Sequence, residues 1–284
     1  MEYVFFAGAN GSGKSTLIKN LRSLDEYQGF EYICADELEK EPVLQKLDKT
    51  ERMKAASVLA KSYRTRCVKK LGGVSSGIAV IVVVDGDNRI ILDAGANARV
   101  SEALVDEALA EAEAGDYLVA QLEIGLPVVE YALEKAKEKG MVTMLNPAPA
   151  AELSEKTLSF CDYFIPNQSE AEFYTGIRPA DEVSAKKCAE ALAAKGVKNV
   201  VVTMGAEGSA YIGGDRYVKV NAFRAEAVDT TAAGDTYVGA LAVRLSEGAD
   251  VEEAMIFASK ASSVTVTRRG AQQSIPFRRE VEAL

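Results

Sequence analysis

Histidine and tryptophan are both absent from this chain of 284 residues. The absence of histidine excludes Ser-His-Asp and Cys-His catalysis, imidazole metal ligands and histidine pH switches. The acid or base of any active site must therefore be an Asp, Glu, Lys, Tyr or Cys side chain.

Cysteine is scarce, and its four copies are widely scattered with no C-x-x-C pair: Cys34, Cys67, Cys161 and Cys188. This spacing favours buried thiols in a reducing compartment over a disulfide framework or a zinc site. No charged-then-apolar leader opens the chain, and no apolar run reaches the length of a membrane span. We therefore expect a soluble, cytoplasmic protein.

Positive charge is also in short supply, because 33 basic residues stand against 42 acidic ones, for a formal net charge of -9. A negative surface repels a phosphate backbone, so the sequence predicts neither nucleic acid nor an anionic membrane as a partner. The length allows one large α/β domain or two small ones.

Short apolar runs alternate with helical stretches from Ser101 onward. The runs have the length of strands, and they read YLVAQLE, MVTMLN, DYFIP and NVVVTMG. Such alternation predicts a three-layer α/β/α fold with a mostly parallel sheet. Before it, IAVIVVV and RIILDAG are joined by a polar turn at Asp85 to Asn88, which predicts a residual β-hairpin lid instead of a βαβ unit.

The first motif with a chemical meaning follows the apolar run EYVFFA at the start of the chain. The stretch GANGSGKS matches G-x-x-x-x-G-K-[ST], directly after a predicted strand and at the start of a predicted helix. Backbone N–H groups of such a loop surround a phosphate, the lysine reaches the outer phosphates, and the serine hydroxyl ligates Mg²⁺. The predicted nucleotide-binding residues are Gly8, Gly11, Gly13, Lys14, Ser15 and Thr16. The alternative is a flexible glycine turn with a solvated lysine.

Asp36 follows a second apolar run, Phe30 to Cys34. Its carboxylate could take a proton from a substrate hydroxyl or could simply cap the next helix, and both interpretations stay open. Over about the first seventy residues, FFAGANGSGKSTL with YICADE resembles the zeta-toxin-like P-loop kinases. That resemblance implies that Asp36 handles an acceptor hydroxyl.

A second phosphate-handling motif, AVDTTAAGDTYVGA, places small residues at the start of a helix predicted from Ala233 to about Ser246. The N–H groups of Ala232, Ala233 and Gly234 would form an anion hole, and Asp235 could deprotonate an attacking hydroxyl. Threonine and aspartate are also ordinary residues at helix starts, so a plain capping role is the alternative.

From about Gly73 to the C-terminus the chain resembles ribokinase and the carbohydrate kinase family. The stretches that carry this resemblance are QLE, LNPAPA, PNQSEAE, VVTMGAEG, DTTAAGD and VTRRGAQQSIP. The resemblance implies that Asp235 is the catalytic base and that Gly234 and its neighbours hold the transferring phosphoryl group. It further implies ATP, Mg²⁺ and the monovalent cation K⁺ as cofactors, and a sugar as acceptor.

The same resemblance implies roles for further residues. Asn167 and Glu170 would organise Mg²⁺ and the phosphates, while Glu123 would touch the sugar or, alternatively, be a solvated carboxylate at a strand end. The remaining implied positions line the nucleotide, namely Thr203, Gly205 and Gly208, or surround the monovalent cation, namely Asp229, Thr231 and Ser274.

The family's N-terminal sugar-binding aspartate and GGKGAN-type segment have no counterpart in this sequence. We therefore interpret the chain as a chimera, with a P-loop segment over residues 1–70 and a ribokinase-like remainder over residues 71–284. The two are joined between about Ser62 and Gly77 and are expected to pack as one continuous domain.

Such a chimera predicts ATP binding with weak or lost sugar phosphorylation, because positioning dominates phosphoryl transfer. Two alternatives stay open: a P-loop ATPase or kinase that uses Lys14, and a chimera without activity. The hairpin at Ile78 to Leu92 would expose its edges, which predicts a homodimer through the lid.

Overall fold

The computed structural model describes residues 3–6, 73–75, 77–84 and 87–284. These belong to one compact unit, formed by Met1–Asn10 and Leu71–Leu284. The P-loop motif, Asp36, the predicted strand at Phe30 to Cys34 and most of the predicted joining region between about Ser62 and Gly77 lie outside the described residues.

The described residues form nine β-strands. They are β1 (Tyr3–Phe6), β2 (Ile78–Val84), β3 (Asp87–Asp93), β4 (Tyr117–Ala120), β5 (Val142–Leu145), β6 (Tyr163–Phe164), β7 (Asn199–Thr203), β8 (Ser209–Gly213) and β9 (Arg216–Val220). Seven of them form one sheet in the order β1-β4-β5-β6-β7-β8-β9, and β2 pairs only with β3 among the described strands.

The helices of the same residues are α1 (Glu102–Ala108), α2 (Leu126–Glu138), α3 (Glu155–Ser159), α4 (Gln168–Thr175), α5 (Glu182–Ala193), α6 (Ala233–Ser246), α7 (Val251–Thr265) and α8 (Arg278–Glu282). Short 3₁₀ turns cover Gly95–Arg99, Gly205–Glu207 and Gln272–Ser274. No helix in this part of the chain is both long and apolar enough to cross a membrane.

Two apolar cores cover the two faces of the sheet. On one face, alternate strand residues such as Leu118 and Leu145 pack with buried residues of α2 and α5. On the other face, Val119 and Met144 pack with buried residues of α6 and α7. This burial on both faces gives the predicted three-layer α/β/α architecture, and it explains why the parallel strands are continuously apolar.

Strands β1, β4, β5, β6 and β7 run parallel. Their registers pair Phe6 with Ala120, Ala120 with Leu145, and Leu145 with Phe164. The carboxyl ends of these strands therefore lie along one edge of the sheet, which is where ligands bind in open α/β folds.

The sheet is mixed, because β8 and β9 are antiparallel to their neighbours. The strict alternation of strands and helices predicted from the sequence did not include this hairpin, although Gly213-Gly214-Asp215 is a recognisable turn signal. The other hairpin is as predicted but tighter: Val84 pairs with Asp87, so only two residues connect β2 and β3.

Candidate active site

The candidate site lies at the carboxyl edge of the parallel strands. Gln121 directly follows β4, and Asn146 directly follows β5. The sheet ladder continues one step beyond the strands, because Asn146 N donates to Ala120 O at 2.9 Å and Ile165 N donates to Leu145 O at 2.8 Å. Side chains alternate along a strand, so Gln121 and Asn146 lie on the same face as Val119 and Met144, the face covered by α6.

Helix α6 brings its N-terminus to this edge. Its N-cap residue, Ala232, has a φ of 61° and offers no side-chain cap. Within the described residues, the backbone N–H groups of Gly234 and Asp235 make no hydrogen bond, and a Cβ added at Gly234 would meet no atom within 4 Å. Free N–H groups and the positive end of the helix dipole make this an open position for an anion.

Asp235, in the first turn of α6, is exposed at the same place. Gln121 Nε2 donates a hydrogen bond of 2.8 Å to its Oδ1 atom. The pKa of Glu123 is raised, first by burial and then by the negative charge of Asp235. The structure thus brings Glu123, Asp235 and the start of α6 close together.

Asn167 and Glu170 form a capping box at the start of α4. The Glu170 carboxylate accepts from Asn167 N at 2.8 Å and from Asn167 Nδ2 at 2.9 Å, while Asn167 Oδ1 accepts from Glu170 N at 2.9 Å. Each side-chain oxygen of the pair accepts one hydrogen bond and keeps a further lone pair, so the pair has the donor atoms to bind Mg²⁺ directly or through a water molecule.

Thr203 lies beside this box, because Thr203 N donates to Pro166 O at 3.0 Å and a parallel bridge joins Thr203 to Asn167. Gly205 begins the following 3₁₀ turn and Gly208 comes directly after it, with φ values of 55° and 89°. A Cβ at Gly208 would lie 2.0 Å from Val220 O. Gly208 is therefore required by the close approach of the chain after β9, independently of any ligand.

Asp229 joins two loops near the start of α6. Its Oδ1 accepts from Thr231 N at 2.9 Å, and its Oδ2 accepts from Gly270 N at 2.9 Å. A hydrogen bond from the Thr231 hydroxyl, followed by the backbone bonds from Gly270 and Thr231, holds the pKa of Asp229 below its ordinary value. Ser274 is fully buried on the second loop, and its hydroxyl donates to Ala271 O at 2.5 Å.

The described residues contain no group of three or more His, Cys, Asp or Glu side chains that could hold a metal ion. The K⁺ position implied for Asp229, Thr231 and Ser274 stays a prediction. Gln121 and Asn146 were not among the predicted site residues, although both stand in the QLE and LNPAPA stretches.

Residues 59–278 match the family model of the pfkB family carbohydrate kinases. The chain belongs to this family. The matched range begins just before the predicted join, and residues 1–58 lie outside it. The predicted resemblance of residues 1–70 to zeta-toxin-like kinases, and the chimera built on it, stay predictions.

Curated members of the family include close relatives of this pfkB-family chain. It is 41% identical to the ribokinase of Haemophilus influenzae over 206 residues, which cover 72% of this chain and 67% of the relative. It is 39% identical to the ribokinase of Schizosaccharomyces pombe over 222 residues, or 76% of this chain and 69% of the relative.

Solved structures agree with these relationships. The ribokinase of Thermotoga maritima is 38% identical, with a TM-score of 0.66 over 80% of this chain and 76% of that one. The ribokinase of Arabidopsis thaliana, solved in complex with ribose and ATP, is 27% identical, with a TM-score of 0.67 over 81% of this chain and 77% of that one.

Proposed function

We propose that this pfkB-family protein transfers the γ-phosphoryl group of ATP to a hydroxyl of a sugar. The observation that carries the proposal is the exposed Asp235 at the open N-terminus of α6, beside Glu123 and at the carboxyl edge of the sheet. The family membership and the ribokinase relatives support a sugar as the acceptor.

In the proposed reaction, Asp235 accepts the proton of the attacking hydroxyl. The N–H groups at the start of α6, including that of Gly234, stabilise the negative charge on the transferring phosphoryl group. Glu123 contacts the sugar. When bound, Mg²⁺ would neutralise charge on the phosphates, and Asn167 and Glu170 would hold it.

In this proposal the nucleotide lies across the carboxyl end of β7 and the turn that follows it. Thr203, Gly205 and Gly208 line it, and the positive φ values of the two glycines shape the turn. Asp229, Thr231 and Ser274 would hold K⁺ near the anion position, where the carboxylate of Asp229 accepts hydrogen bonds from both loops.

We further propose that the protein binds ATP but phosphorylates its sugar only weakly. The motive is that the family's N-terminal sugar-binding segment has no counterpart in this sequence. Because phosphoryl transfer depends on holding both reactants in line, a poorly held sugar lowers turnover while leaving ATP binding intact.

The test is a screen of pentoses and hexoses for ATP-dependent formation of a sugar phosphate. The parent protein is compared with Asp235→Asn and with the matched control Asp215→Asn, which changes an exposed aspartate in the β8–β9 turn at the opposite edge of the sheet. We expect at least one sugar to be phosphorylated by the parent and the control but not by Asp235→Asn. Equal activity in all three proteins would refute the role of Asp235.

A second candidate function rests on the P-loop motif, which follows the observed strand β1. In that case Lys14 and Asp36 would carry an ATPase or kinase activity, and the pfkB-like part would only complete the fold. Lys14→Ala would then abolish activity, whereas Asp235→Asn would leave it unchanged. A protein without either activity is the remaining alternative.

A further inference from the structure

Two amide side chains connect Asp235 to the backbone of the sheet. Gln121 Nε2 donates to Asp235 Oδ1 at 2.8 Å and to Asn146 Oδ1 at 2.9 Å. Asn146 Nδ2 in turn donates to Ile165 O at 2.8 Å. The three bonds run across the carboxyl ends of β4, β5 and β6, ending on the exposed carboxylate.

The bond to Ile165 O fixes which atom donates in each of the three hydrogen bonds. A backbone carbonyl can only accept a hydrogen bond, so the Asn146 amide nitrogen must face Ile165. The side-chain oxygen of Asn146 therefore faces Gln121 and accepts a hydrogen bond from the Gln121 amide nitrogen. The second proton of that nitrogen is directed at Asp235.

The register of the sheet makes this arrangement rigid. Gln121 and Asn146 directly follow paired strand residues, Ala120 and Leu145, and Asn146 is itself held by its backbone bond to Ala120 O at 2.9 Å. Both side chains are partly buried. A donor fixed on strands is a more precise support for a carboxylate than one on a loop.

We propose that Gln121 is a positioning residue that holds the Asp235 carboxylate in one orientation, with Asn146 as its support. Gln121 occupies Oδ1 of Asp235, so Oδ2 is the oxygen that accepts the proton of the acceptor hydroxyl. This inference rests on the proposed function, because it assigns Gln121 a role only if Asp235 is the general base.

The kinetic test compares Gln121→Ala, Asp235→Asn and the double variant. A hydrogen bond to a charged group is worth enough to predict that Gln121→Ala lowers kcat by about 10- to 100-fold. The dissociation constant of ATP is expected to stay the same. In the double variant, loss of Gln121 is expected to add nothing to the loss caused by Asp235→Asn, because its target is already changed.

Asn146→Asp tests whether Asn146 supports Gln121, because Asn146 acts on Asp235 only through Gln121. It replaces the donor to Ile165 O by an acceptor, so we expect kcat to fall although residue 146 does not touch Asp235. The matched control is Asn199→Asp, because Asn199 is also hydrogen-bonded and partly buried, but at the amino end of β7. This control is expected to keep the kcat of the parent, provided that both variants fold, as judged by their thermal unfolding.

The outcomes separate the two proposals. If Asp235→Asn retains activity, the proposed function fails. If Asp235→Asn is inactive while Gln121→Ala keeps the parent's kcat, or if the two losses are additive, only the positioning role fails.

If turnover is too slow to measure, NMR spectroscopy can test the same contact. The side-chain amide signals of Gln121, identified by their disappearance in Gln121→Ala, are expected to shift in Asp235→Asn and to stay in place in Asp215→Asn. Signals that do not respond to Asp235→Asn would overturn the inference.

Discussion

At the scale of single residues, the described site is a small set of polar groups at the ends of apolar strands. Asp235 is exposed, whereas Glu123 is half-buried beside it. Burial and the neighbouring negative charge both disfavour the ionised form of Glu123 and raise its pKa. The ionised form of Glu123 therefore lowers the stability of the fold. Ionisable groups with such perturbed pKa values are common at functional sites.

The raised pKa gives a prediction about stability and pH. A raised folded-state pKa means that Glu123 contributes stability at low pH, and that this contribution is lost as pH rises above the ordinary glutamate value of 4.5 toward the raised one. Glu123→Gln removes this loss. We therefore expect the free energy of unfolding of Glu123→Gln, relative to the parent, to increase as pH rises through that range.

The measurement is urea unfolding of Glu123→Gln and the parent at several pH values from 4 to 7. A difference between Glu123→Gln and the parent that is constant with pH would contradict the cause assigned to the shift.

At the scale of elements, two glycines that look alike in sequence have different reasons for being glycine. Gly208 has a φ of 89° and no room for a Cβ beside Val220 O, so Gly208→Ala is expected to lower stability by more than about 2 kcal/mol. Gly234 has open space, and Gly234→Ala is expected to keep or raise stability by about 0.5 to 1 kcal/mol.

Gly234→Ala is nevertheless expected to lower the rate of phosphoryl transfer, because a methyl group at position 234 would stand where the anion approaches the N-terminus of α6. Thermal unfolding and the rate of phosphoryl transfer, measured on both variants, check the pair. A stable and fully active Gly234→Ala would count against the anion position.

Some elements could be predicted from the sequence because their signals are local. Helix α6 runs from Ala233 to Ser246, as predicted, since small residues and an aspartate open a continuous apolar stretch. The predicted strands were too long at their carboxyl ends. Gln121 and Asn146 are polar residues just past β4 and β5, where the backbone pairing continues for one step and the two side chains reach the site.

The link from Gln121 to Asn146 could not be predicted in the same way. Its members stand 25 residues apart, and they meet only because β4 and β5 pair in a particular register. The mostly parallel sheet agrees with the prediction, but the antiparallel β8–β9 hairpin itself was not predicted, because alternating strands and helices do not indicate where a hairpin interrupts them.

The β2–β3 hairpin carries the prediction of a homodimer. It pairs with no other strand among the described residues, and β2 is the apolar run IAVIVVV. An apolar strand with a free edge favours pairing with another chain, and lysines on such a strand oppose it. We expect the parent to be a dimer by light scattering and the double variant Val80→Lys, Val82→Lys to be a monomer. A monomeric parent would contradict this account of the hairpin.

At the scale of the whole molecule, the sequence presents two phosphate-binding motifs in one chain, of which the described residues include only the one at α6. A ligand at about a hundredfold over its dissociation constant stabilises the folded state by about 2.7 kcal/mol. We expect Mg-ATP to raise the Tm of the parent and of Lys14→Ala, and to raise that of Asn167→Ala less. Loss of the shift in Lys14→Ala alone would identify the P-loop as the nucleotide site.

The most direct test of the central claim is the initial rate of sugar phosphate formation from ATP, measured side by side for the parent, Asp235→Asn and Lys14→Ala. Our account predicts that Asp235→Asn lowers the rate by at least about a hundredfold, as expected for loss of a general base, while Lys14→Ala retains most of it. A rate that survives Asp235→Asn and disappears in Lys14→Ala would contradict the account and assign the chemistry to the P-loop.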